Sequence, residues 1–110
     1  MKRYFIYAYD NLYQGLHGMY DWIIYEGPFK EACKTGQEMS RDVIEAYSCI
    51  YDELTDGLEE EDFEDEIYND TAYEIYELKE DAPIDDEIYN LNWDPRDIID
   101  EYCILGEDYD

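Results

Sequence analysis

Carboxylates are the one reactive group this chain holds in quantity, and they crowd together. In EEEDFEDEIY, residues 59–68, seven acids fill the first eight positions, interrupted by Phe63 alone. Paired carboxylates can act as general acid and base, and clusters of them can hold hard cations. With 32 Asp and Glu in 110 residues, such pairs arise at any spacing, so a pair alone points to no chemistry. Calcium gives the sharpest test, because DELTDGLEEEDF, Asp52 to Phe63, places Gly57 at the sixth position of a twelve-residue loop. The pattern then fails twice. Leu54 stands where an oxygen ligand is needed, and Phe63 stands where the bidentate Glu belongs. Weak adventitious binding of Ca²⁺ or Mg²⁺ is expected, and a dedicated metal site is not.

Other catalytic groups are scarce. His17 is the single histidine and lies in a glycine-containing stretch, which suits a surface or packing residue better than a general base. Ser40 and Ser48 are the only serines, and there is no glycine-rich phosphate loop or nucleophile elbow. Cys33, Cys49 and Cys103 are odd in number and lack a C-x-x-C pair, which argues against a disulfide framework and a structural zinc. Cys33 and Cys49 fall on or near an apolar helical stripe, so buried structural thiols are expected there. No enzyme activity and no cofactor are expected. An enzyme or metal buffer is the weakest reading, which tight metal binding would revive.

The formal net charge is −25, and it is unevenly placed. Residues 1–51 hold seven acids and five bases, net −2, whereas residues 52–110 hold 25 acids against Lys79 and Arg96, net −23. A compositional bias toward Ile, Tyr, Asn, Asp and Glu should also raise lysine, yet only four lysines occur. Adaptation to high salt fits poorly with so many large aromatic and Ile residues. A disordered acidic tail fits poorly too, because tyrosine and isoleucine run through the acidic half and can bury apolar surface.

The elements that must carry these charges read as one α+β domain, with residues 1–54 near-neutral and 55–110 strongly acidic. RYFIYAY, Arg3 to Tyr9, is a strand with Tyr4, Ile6 and Ala8 on one face and Phe5, Tyr7 and Tyr9 on the other, buried on both. A long connection through two glycines leads to a second strand, YDWIIYE, Tyr20 to Glu26. Gly27-Pro28 ends it and opens a helix whose apolar positions, from Phe29 through Val43 to Leu54, recur at steps of three and four. That helix runs from about Pro28 to Leu54. Gly36 weakens or kinks it, and Ser40 offers a cap for a second helix from Arg41 if it breaks. Thr55-Asp56-Gly57 is a turn, and the acidic run follows. DTAYEIYELKE, Asp70 to Glu80, alternates as a third strand with one wetter face. Ile84, Ile88 and Leu91 are helix-spaced, and Asp94-Pro95 starts a last helix with Ile98, Ile99 and Tyr102 inward. The expected architecture is a small antiparallel sheet of about three strands against a long helix, with two short C-terminal helices, in the order β-β-α-β-α-α.

Charge of one sign works against compact folding. Two exposed carboxylates ~7 Å apart repel by about 0.6 kcal/mol in water, with a screening length of ~8 Å at physiological salt. Over so many groups the sum rivals the stability of a small domain, which points to a strongly basic partner. The density can be compared with nucleic acid. A helical run over residues 59–66 would carry one charge per ~1.7 Å, as duplex DNA does along its axis. An extended run would carry one per ~3.8 Å, near the ~3.4 Å of a single strand, and the sequence does not choose between them. Aromatics lie among the acids, and such a surface can pair Arg and Lys by charge while stacking on guanidinium planes. Tyr73, Tyr76 and Tyr102 suit core packing better than contact.

In size, charge and aromatic content the chain resembles the small, highly acidic nucleic-acid-mimic inhibitors of phages and mobile elements, of the anti-CRISPR and antirestriction kinds. The resemblance rests on the run Glu59 to Glu66, the clusters Glu80-Asp81, Asp85-Asp86-Glu87 and Asp94-Pro95-Arg96-Asp97, and the C-terminal GEDYD. It implies occupation of the DNA- or RNA-binding groove of a host defence nuclease, with a CRISPR effector ahead of a restriction enzyme and no chemistry on the substrate. The partner-binding residues expected on this reading are Glu59, Glu60, Glu61, Asp62, Phe63, Glu64, Asp65, Glu66, Tyr68, Asp85, Asp86 and Glu87. A binding module or immunity protein for another basic nucleic-acid-binding protein is the alternative. The N-terminus lacks the apolar stretch of a secretory signal, and no apolar run approaches the ~20 residues that span a bilayer, so a cytoplasmic protein without membrane or direct nucleic-acid binding is expected.

Overall fold

The computed structural model describes residues 2–14, 16–82 and 95–104. In chain order the elements are β1 (Arg3–Asp10), β2 (Tyr20–Glu26), α1 (Phe29–Ala46), α2 (Ser48–Thr55), α3 (Phe63–Asp70), β3 (Thr71–Glu77) and α4 (Pro95–Tyr102). Short 3₁₀ turns occupy Leu16–Gly18 and Glu60–Asp62. The fold is α+β. Its three strands form one antiparallel sheet in the order β2-β1-β3, so β1 is central and hydrogen-bonded on both sides.

The double burial expected for β1 follows from this position. On one face Tyr4 and Ile6 pack with Ile23, Tyr25 and Ile75 of the flanking strands against Ala32 and Met39 of α1. On the other face Phe5 and Tyr7 join Ile24 and Leu78 beneath Ile98 and Ile99 of α4, with Cys103 just beyond that helix. Helices therefore cover both sides of a sheet only three strands wide. Leu78 extends β3 by one bridge, to Cys103, which ties the end of α4 to the sheet.

Helix α1 continues unbroken through Gly36. The glycine lets the helix approach the sheet, because a Cβ there would lie 2.8 Å from Cδ2 of Tyr73 and 3.3 Å from Cγ2 of Ile6. Ser40 is not a helix cap either. Fully buried within α1, its hydroxyl donates to the Tyr9 carbonyl and accepts from the Ala72 N–H at 2.9 Å, joining groups that face each other across β1 and β3.

The long helix expected over 28–54 is interrupted at Tyr47, whose φ of −106° and ψ of 105° are extended. Its hydroxyl donates to the Gly18 carbonyl at 3.3 Å, and α2 starts afresh at Ser48. The restart lets Ile50 join Val43 and Ile44 of α1 and Ile67 of α3 in a third apolar cluster, with Tyr13 and Met19 packed against it from the β1–β2 connection. It also moves Cys49 to the surface, contrary to the buried thiol expected there, with its sulfur 3.8 Å from that of Met19. Cys33 is half-buried, and Cys103 is buried with its thiol pushed up to about 12, chiefly by desolvation. The first of the two expected C-terminal helices, around 84–91, and the side chain of His17 lie outside the described residues. No helix among the described residues is long and apolar enough to cross a membrane.

Candidate partner-binding surface

The acidic run is built on a short helical hairpin. Helix α2 ends at Thr55, and Gly57, at φ +77°, makes a turn that a residue with a Cβ adopts only at a cost. Glu59 is extended, Glu60–Asp62 form the 3₁₀ turn, and α3 continues from Phe63. The sequence folds this way because Phe63, Ile67 and Asp70 fall at steps of four and three, on one side of the helix. Ile67 is buried in the third cluster, and Phe63 is half-buried with its ring edge-on to Tyr51, centroids 6.1 Å apart.

The remaining positions point outward. Glu59, Glu60, Glu61, Asp62, Glu64, Asp65 and Glu66 are all exposed. Acids at the start of a helix face its positive end, an attraction of about 0.3–1 kcal/mol each at low ionic strength, which offsets part of their mutual repulsion. Glu64 also pairs with Arg41 of α1 at 2.8 Å, and Arg41 reaches Glu45 at 3.3 Å. Among the described residues Glu64 is the member of the run that makes an ion pair. Such exposed pairs contribute ~0–1 kcal/mol.

Of the aromatic residues expected to make contact, Tyr68 stands 64% exposed on α3. Phe63 is turned toward Tyr51 instead, so it joins α3 to α2. Asp85, Asp86 and Glu87 lie outside the described residues. Exposed Asp52 and Glu53 of α2, and Asp56 just past its end, extend the charged surface beyond the contact residues expected from the sequence. The signal was available: these acids flank Tyr51, Leu54 and Thr55, the half-buried positions of an amphipathic turn.

Another polar grouping holds the fold together. Glu74 of β3 accepts from the Tyr76 hydroxyl and from Arg96 of α4 at 3.2 and 3.4 Å, and the Arg96 guanidinium sits 5.4 Å from the Tyr7 ring centre. Burial first, then Glu74, pushes the Tyr76 hydroxyl up to about 12, so it remains a protonated donor. This network fastens α4 to the sheet. Tyr76 and Tyr102 are half-buried, and Tyr73 packs on Gly36 while remaining partly exposed.

The stretch tested for calcium, Asp52 to Phe63, is divided among the end of α2, a turn and the 3₁₀ segment, and no group of three or more His, Cys, Asp or Glu among the described residues is placed to hold a metal. What the surface offers is dense, solvent-facing negative charge on a helix, with Tyr68 beside it. Compared with known proteins, the chain matches no family model, no curated protein and no solved structure.

Proposed function

We propose that this protein is a nucleic-acid-mimic inhibitor that occupies the basic groove of a host defence nuclease, a CRISPR effector ahead of a restriction enzyme. The observation that carries the reading is the helical path of the acidic run. From the extended Glu59 through the 3₁₀ turn to Glu66 the chain advances about 13 Å, or ~1.9 Å per carboxylate. That density lies near a duplex, at ~1.7 Å of axis per charge, and far from a single strand at ~3.4 Å. The expected target is therefore a groove that grips double-stranded nucleic acid. Binding begins with charge-steered encounter, and Tyr68 then offers its ring to an arginine of the groove.

The test is competition for labelled target duplex on a guide-loaded RNA-guided nuclease, at low salt and at about 150 mM. The wild-type chain should displace duplex at near-stoichiometric protein, less effectively at the higher salt. A variant carrying Glu60→Gln, Glu61→Gln, Asp62→Asn and Asp65→Asn, which keeps the Glu64–Arg41 pair, should fold and fail to displace it. Equal displacement by that variant rules out the run as the contact surface. Failure of the wild type at both salts rules out the RNA-guided nuclease and moves the same assay to restriction enzymes.

A further inference from the structure

Two carboxyl groups are buried where acids are costly. Asp10, the last residue of β1, is 0% exposed, and Asp70, the last residue of α3, is 7% exposed. They meet at the point where α3 hands the chain to β3, since Asp10 is the register partner of Thr71 and the Asn11 N–H donates to the Asp70 carbonyl at 2.9 Å. Oδ2 of Asp10 accepts from the Tyr13 N–H, and the backbone N–H groups of Asn11 and Leu12 act on the Asp70 carboxyl. Oδ1 of Asp10 and Oδ2 of Asp70 are buried without a hydrogen-bond partner. Orphaned buried oxygens are rare in folded proteins and call for a ligand.

We propose that Asp70, buried beside Asp10, takes up a proton, so that the junction holding α3 to the sheet is a pH-sensitive clasp. Taken from water, the proton removes the charge from a buried carboxylate and turns one of its oxygens into a hydroxyl donor, which relieves both the desolvation and the repulsion from Asp10. The charges that act on Asp70 are Asp10 from β1 and Glu66 from its own helix, both negative. The Tyr13 hydroxyl lies under the influence of Asp10 from the following loop, β3 begins with the neutral Thr71, and α1 presents the neutral Ser40 to this end of the sheet. Asp70 also stands at the carbonyl end of α3, where a negative charge is disfavoured. Burial first, and then Asp10, raises the Asp70 carboxyl from 3.8 to about 6. A metal would need more ligands than this pair offers, as no cluster of three acids, Cys or His is placed for one among the described residues.

The sign follows from linkage. Between about pH 4 and 6 the folded chain holds a proton that the unfolded chain has released, so stability is fully present below the unfolded value and is lost as pH rises through about 6. General relief of self-repulsion acts in the same direction, so the test needs variants. Thermal unfolding of the full chain is measured at pH 5.0 and 7.5, in EDTA, for wild type, Asp70→Asn and the surface control Glu61→Gln. The Asn amide donates as the proton does. Asp70→Asn should therefore raise the midpoint at pH 7.5 by about 4 °C or more and shrink the gap between the two pH values, while Glu61→Gln keeps the gap. Carbon-detected NMR on wild type should show the Asp70 carboxyl titrating near 6, falling toward the ordinary range in Asp10→Asn. An unchanged gap in Asp70→Asn, or Asp70 titrating in the ordinary carboxylate range, overturns the proposal. So does a Ca²⁺-dependent rise in the wild-type midpoint that Asp70→Asn abolishes, which would make the pair a cation site. If Asp70→Asn does not fold, the wild-type titration decides alone.

Discussion

Replacing Gly36 with alanine sets two effects of known size against each other. In the interior of a helix, alanine is favoured over glycine by about 1 kcal/mol. Against that, the new Cβ would sit 2.8 Å from Cδ2 and 2.9 Å from Cγ of Tyr73. Those are the root atoms of the ring, fixed by β3, so Tyr73 cannot swing clear as a long flexible side chain would. Ile6, 3.3 Å away on the central strand and fully buried, cannot give way either. Overpacking of this kind costs about 1–3 kcal/mol, so Gly36→Ala should destabilise the protein by about 1 kcal/mol net. At this size that is a fall of roughly 4 °C in Tm, measurable by circular dichroism or calorimetry. Tyr73→Ala in the same background should recover the helical gain without the collision, giving a coupling of about 1–3 kcal/mol in the double-mutant cycle. If Gly36→Ala is more stable than wild type and the cycle is additive, the close approach of α1 to the sheet is not what glycine serves.

Two further outcomes follow from the buried and exposed polar groups. Ser40→Ala removes the hydroxyl between Tyr9 and Ala72 and should lower stability by about 1–3 kcal/mol in urea titration, with the m-value unchanged. Iodoacetamide under native conditions should alkylate Cys49, which is exposed, and leave Cys103 unmodified until the chain unfolds, as mass spectrometry would show.

The strands were legible because alternation and β-branched composition speak directly to a pleated surface. YDWIIYE gave β2 from Tyr20 to Glu26, and the two apolar faces of RYFIYAY implied a strand covered on both sides, as the central β1 is. The helix break at Tyr47 was not legible, because no glycine or proline marks it. It comes from tertiary packing, which draws Ile50 toward Ile67, a residue 17 positions away. The conformation of the acidic run was hidden for a different reason. When seven of eight positions are acidic, no period survives, and only the sparse Phe63 and Ile67, four positions apart, carry the helical signal. Of the surface itself, the exposure of the acids followed from charge alone. The turning inward of Phe63 did not, since an aromatic residue among acids reads equally as anchor or as core. The Asp10–Asp70 pair was unreadable because the two residues are 60 positions apart and each looks like any other acid in the chain.

The same arrangement that exposes the run also limits how firmly it is held. Helix α3 is fastened by Ile67, by the half-buried Phe63 and by the Asn11–Asp70 backbone bond at its far end. Full burial of an Ile contributes about 1.5–3 kcal/mol. Each pair of run carboxylates ~7 Å apart subtracts about 0.6 kcal/mol before screening, and several such pairs approach the same total. The Glu64–Arg41 pair and the helix dipole return part of this, and a proton taken up by Asp70 would return more. On this balance α3 belongs to the segments that open first. In a basic groove the balance reverses, because cations facing the run remove the repulsion that strains the helix. Association with a basic partner and the local folding of α3 would then reinforce each other, and the charge that weakens the free protein would steady the bound one.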